Sequence, residues 1–171
     1  MKKNIMNLID KLLTSSESKV ALKALEKLFN SGIPFNLLHK FQFIELSHDR
    51  TILKLPGIRK NKNHLGGIHA CATATLGEYP AGLSLVKHVG VSKYRFIMKK
   101  LEADYFKQSK SAVTGEVEID HKELDRVRKE LSESDKSEII IVTNIKNLDE
   151  EVIAVIQTTW QLKHWDKVLY K

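Results

Sequence analysis

The chain has 171 residues, 42% of them hydrophobic and 29% charged, and a formal net charge of +7. That length and balance fit one globular domain with a core of its own and exclude a disordered chain. The single cysteine excludes an internal disulfide and fits a reducing compartment. No apolar run is long enough to span a membrane, so a cytoplasmic protein is expected. The positive charge would suit a nucleic acid or a small polyphosphate. The lysines are dispersed, with one local cluster at residues 58–64, IRKNKNH, so no nucleic-acid surface is expected.

Along the chain, Ile5, Leu8, Ile9, Leu12 and Leu13 recur at helical spacing and predict a first helix. Residues 14–18, TSSES, break it and offer N-cap groups to a second helix. That helix carries Val20, Leu22, Leu25, Leu28 and Phe29 as its apolar stripe, and NSGIP at 30–34 ends it. Residues 1–34 are therefore read as a helical extension and 35–171 as the main domain. A hairpin follows: a strand at 41–46, a polar turn at 47–50 and a strand at 51–55. The small-residue stretch predicts a helix over about 67–79, punctuated by Pro80 and Gly82.

The second half is rich in strands. One long strand lies within 94–108. In the next, Val113, Val117 and Ile119 alternate with Thr114, Glu116 and Glu118. Leu124, Val127 and Leu131 mark a short connecting helix. SEIIIVTNI reads as a buried strand, 147–151 as a turn, and the last strand carries Val152, Ala154, Ile156, Trp160 and Leu162 on one side. The order is an α+β pattern, a curved antiparallel sheet around a central helix.

The chemistry gathers in NHLGGIHACATATLGEY, residues 63–79. Its small side chains allow a helix to lie very close to its neighbours. Gly66 and Gly67 admit unusual backbone angles and close approach of a ligand. The first amides of a helix lack internal partners and can polarise a carbonyl or hold an oxyanion. Glu78 is costly beside a buried helix unless it is exposed, paired or used. His69 and Glu78, nine residues apart, fall on opposite helix faces about 13 Å apart and cannot meet in one helix. Two copies running antiparallel across a two-fold axis would bring one copy's amides to the other's carboxylate.

This stretch resembles the signature of hotdog-fold acyl-CoA thioesterases, with Asn63, His64, Gly66, His69 and Glu78 in register. The interval from His69 to Glu78 is similar to that of the phenylacetate-pathway type. Asn63, Gly66, His69, Ala70, Glu78 and Gly82 also resemble an uncharacterised branch of the superfamily, as does MKKLEADYFKQSKSAVTGEVEI at 98–119. The likeness covers about residues 35–165. It implies a hotdog fold for 35–171 and hydrolysis of an acyl-CoA thioester. Glu78 would be general base or nucleophile, and Asn63 and His69 would orient water or substrate. Gly66, Gly67 and the amides near Ala70 and Cys71 would face the thioester, and Arg59 and Lys62 the coenzyme A phosphates. Ala70-Cys71 stand where the better-known thioesterases have paired glycines. A homodimer is expected, with a tetramer open, and neither cofactor nor metal.

Other readings stay beside this one. Cys71 is a candidate nucleophile at a helix start or a small buried side chain. His64, His69 and Glu78 lack zinc-type spacing. Trp160, Trp165 and Tyr170 could stack bases, but the alternation around Trp160 favours packing. His39, His48, His88, His121 and His164 show no pattern. The alternative to an enzyme is a non-catalytic hotdog module that binds acyl-CoA or a partner protein.

Overall fold

The computed structural model of the chain describes residues 3–168, with side chains from residue 6 onward; Ile5's side chain and Tyr170 lie outside the described residues. Helices α1 (Lys3–Thr14) and α2 (Lys19–Gly32) precede strands β1 (Gln42–Leu46) and β2 (Arg50–Leu55). The central helix α3 spans Ala70–Val89. Then come β3 (Tyr94–Tyr105), β4 (Val113–Glu118), α4 (His121–Glu133), β5 (Lys136–Lys146) and β6 (Val152–His164). The six strands form one sheet in the order β1-β2-β4-β5-β6-β3, every pair antiparallel.

This is the hotdog fold: a curved sheet holding α3 against its inner face, with buried α3 side chains packed on β2, β4, β5 and β6. Apolar alternation in each strand supplies the inner layer, as in Leu53 and Leu55, Val113 and Val117, Ile139, Ile141 and Ile145, and Ile156 and Leu162. Two glycines set the helix-to-sheet distance. A β-carbon on Gly77 would lie 2.3 Å from the Ile156 Cβ, and one on Gly115 would lie 2.8 Å from the Leu76 carbonyl oxygen.

Helix α3 starts later and runs further than the sequence predicts. It passes through Pro80 and ends at Gly90, whose φ is +86°. Proline takes away the amide that would bond the Leu76 carbonyl. The helix nonetheless continues through this gap, buried against the sheet, and the Thr143 hydroxyl donates 2.7 Å to the neighbouring Gly77 carbonyl. The same tertiary grip reassigns some apolar residues. Val20 is exposed rather than part of the α2 stripe, Ile140 and Val142 point outward from β5, and Val152 is partly exposed.

Helices α1 and α2 bury Ile9, Leu13 and Leu25 in the same core as Phe43 and Leu76. Lys87 of α3 donates 2.8 Å to Ser16 Oγ and 3.2 Å to the Leu13 carbonyl, and Asp10 accepts from the amides of Val91 and Ser92. Phe41 and Phe43 pack edge to face on Tyr79 in this core, with ring centroids 5.1 and 5.8 Å from that of Tyr79. Among the described residues no helix is long and apolar enough to cross a membrane.

Candidate active site

The loop before α3 is built by two asparagines. Asn63 accepts from the amides of Leu65 (2.9 Å) and Gly67 (3.1 Å) through Oδ1, and its own amide bonds the Gly67 carbonyl at 2.8 Å. Gly66, at φ +79°, supplies the left-handed step that this turn needs. Buried Asn61 donates to the carbonyls of His39 and Pro56, and its carbonyl takes the His69 amide at 2.8 Å. Asn61 thereby orders the basic loop, a role its sequence context did not signal.

His69 is the N-cap of α3. Its Nδ1 accepts from the Cys71 amide at 3.1 Å, and its carbonyl accepts from the Thr73 amide. The Cys71 amide, a sequence candidate for polarising the substrate, is therefore already engaged. The amides of Ala70 and Ala72 meet no acceptor among the described residues. Cys71 itself is exposed, not buried.

Two crevices flank this helix start. One, of about 300 Å³, lies between Ala70 and Thr73 of α3, Asn63, and the segment from Tyr105 to Ser109. The other, of about 220 Å³, is lined by His69, Cys71 and Thr75 with Lys60 and Lys62 at its edge. Arg59 is exposed on the same loop. Segment 105–109 is a wall that sequence reasoning did not single out. The Tyr105 hydroxyl donates 2.9 Å to the Ala70 carbonyl, the Ser109 carbonyl takes the Ile68 amide, and the Gln108 side chain fills the space a β-carbon on Gly67 would need. Its only sequence signal was membership of the stretch at 98–119 that resembles the thioesterase branch.

Glu78 lies two and a half turns along α3, and neither crevice includes it. Within one chain the structure thus gathers Asn63, Gly66, Gly67, His69, Ala70 and Cys71, and leaves Glu78 apart. Its carboxylate meets no cation and no hydrogen-bond donor among the described residues, and burial alone pushes its pKa from 4.5 to about 7. A β-carbon on Gly82 would lie 3.2 Å from the Trp160 indole and 3.8 Å from Glu78 Oε1, so Gly82 neighbours both groups and its closest approach is to the indole. Cys71, Ala74, Thr75, Glu78 and Gly82 form the part of α3 that the sheet leaves uncovered.

A family model described as "Domain of unknown function (DUF4442)" matches residues 22–162. The chain belongs to the DUF4442 family. The match runs from the first turn of α2 to within two residues of the end of β6 and takes in every residue of the candidate site. No curated protein matches this DUF4442 chain. Among solved structures it is similar to a Pseudomonas aeruginosa protein of unknown function called a probable thioesterase, with 22% identity, TM-score 0.75, and 83% of this chain and 95% of that one covered. It is similar to a variant of a thioesterase from Staphylococcus aureus at 21% identity, TM-score 0.64, over 77% of this chain and 99% of that one. A Chlorobaculum tepidum protein of unknown function matches at 12% identity and TM-score 0.73, over 87% and 98%. These likenesses establish the hotdog fold for this DUF4442 chain, and none of the three names singles out the phenylacetate-pathway type.

Proposed function

We propose that this protein hydrolyses acyl-CoA thioesters as a symmetric homodimer, with Glu78 as the catalytic carboxylate. The observation that carries the reading is the state of Glu78: a desolvated carboxyl with no structural partner, on the uncovered small-residue face of α3. A carboxyl with a pKa near 7 is matched to proton transfer at neutral pH. A second α3, antiparallel over that face, would set one copy's Glu78 beside the other's Ala70 and Ala72 amides. The edge of β3 that does not face β6 lacks a pairing strand among the described residues and supports such a pairing of copies. Two of the similar structures are called thioesterases.

In this mechanism Glu78 takes a proton from water as the water oxygen attacks the thioester carbonyl carbon. The α3 amides hold the oxyanion that forms. Collapse breaks the C–S bond, and the departing coenzyme A sulfur takes up the proton that Glu78 carries, which returns the carboxylate. His69 and Asn63 hold the loop and the helix start in place. Arg59, Lys60 and Lys62 would meet the phosphates.

A non-catalytic acyl-CoA binder is favoured by one observation, the engagement of the Cys71 amide by His69. Thiol release from a panel of acyl-CoAs, short, long and aromatic, separates the two. Turnover that disappears in Glu78→Ala supports the enzyme. A folded dimer that binds acyl-CoA without turnover supports the binder.

A further inference from the structure

Three histidines that show no pattern in the sequence meet at the end of the molecule near the C-terminus of α3. His48 sits in the β1–β2 turn, His88 in the last turn of α3, and His121 is the first residue of α4. One ring nitrogen of each lies within 4.8 Å of the others. The rings of His48 and His121 stack, centroids 4.4 Å apart and 16° from parallel.

The contacts around the three rings are those of oriented ligands. Asp49 Oδ1 meets His48 Nδ1 at 3.0 Å and His121 Nε2 at 3.0 Å. Each of these rings keeps a second nitrogen with no partner among the described residues. His88 has the less ordinary surroundings. Its Nδ1 lies 2.8 Å from the Ser84 carbonyl and its Nε2 lies 2.9 Å from the His48 carbonyl. Carbonyl oxygens only accept, and a neutral imidazole has one N–H. A neutral His88 therefore sets a ring lone pair against an oxygen lone pair, an arrangement that a cation at this point relieves. A second proton on the ring is the other way to relieve it, and metal titration separates the two.

We infer that His48, His88 and His121 form a binding site for one divalent transition-metal ion of the zinc class, with Asp49 and the Ser84 carbonyl orienting the rings. Imidazole suits zinc and its neighbours, and a carboxylate or carbonyl on the outer N–H is the usual support for such a ligand. Tetrahedral bonds of about 2.0–2.1 Å put ligand nitrogens roughly 3.3 Å apart, so nitrogens now as much as 4.8 Å apart must draw together on binding. The exposed turn that carries His48 can supply that movement. The ion would tie the hairpin, α3 and α4 together at the end of the fold remote from the α3 N-terminus, independently of the proposed hydrolysis.

The test uses the full chain without a histidine tag, stripped with chelator and titrated calorimetrically with zinc chloride. Cobalt absorption reads the ligand geometry in parallel. The expected result is about one ion per chain, at least about tenfold weaker binding in His48→Ala, His121→Ala and Asp49→Asn, and a zinc-dependent rise in unfolding temperature that these variants lose. His48 and His121 are surface side chains, so their variants are expected to fold, and circular dichroism checks this. Cys71→Ser is expected to bind as wild type does. No saturable binding by wild type overturns the site. So does undiminished binding in the His48→Ala/His121→Ala double variant, or loss of binding in Cys71→Ser, which would move the ion to the helix start.

Discussion

Glu78 is a single side chain whose protonation couples activity to stability. As general base it must be ionised, so turnover is expected to rise with pH through about 7, the value to which burial pushes it. The folded carboxyl keeps its proton up to that pH, whereas the unfolded one releases it near the ordinary 4.5. The native state thus binds more protons between these values, and stability falls as pH rises across that window. Glu78→Gln removes the penalty and is expected to be more stable than wild type at pH 8 by up to about 3 kcal/mol, with little difference at pH 4. Urea unfolding at the two pH values measures this, and matching curves at pH 8 would mean the carboxyl is solvated. His69→Ala loses the cap on the Cys71 amide and should cost about 1 kcal/mol in the same measurement. Glu78 and His69 were legible in the sequence because their chemistry sits in one local pattern of small residues. Tyr105, Gln108 and the three clustered histidines were not, because they meet partners 33 to 73 positions away in the chain.

At the scale of elements, spacing rules located all four helices and the strands, and they failed where burial overrules local preference. Pro80 and Gly82 would end an exposed helix, but α3 gains more from lying in the sheet than it loses at one carbonyl. Thr143 is the specific support at this point. Thr143→Val should cost about 1 kcal/mol, the net worth of one buried hydrogen bond, because the Gly77 carbonyl keeps its place in the helix ladder toward the Ala81 amide. Denaturant unfolding with an unchanged slope checks this. The outward Ile140 and Val142 show the converse failure: an unbroken apolar run reads as buried on both faces, although β5 is buried on only one.

For the whole molecule, the decisive expectation is that the active unit needs two chains. Light scattering after gel filtration should give a dimer, and specific activity should fall on dilution toward the dissociation constant. Complementation gives a sharper check. Ala70→Pro removes one α3 amide at the first helical position, where proline is tolerated and the preceding His69 is already extended at ψ 137°. Mixed and refolded with Glu78→Ala, it should restore about a quarter of wild-type turnover, since half the dimers then hold one intact site of two. Sites contained within a single chain would show no rescue.

The contact between Gly77 and Ile156 also limits how this family member can change over time. A new β-carbon at position 77 would strike the Ile156 Cβ, the one side-chain atom that every residue except glycine keeps. Trimming Ile156 to valine or alanine therefore makes no room, and no single compensating exchange leads away from the present pair short of a second glycine. In a library that samples every position, 77 should accept glycine alone even beside a shortened residue at 156. Neutral drift through this part of the core would have to begin with the spacing between helix and strand.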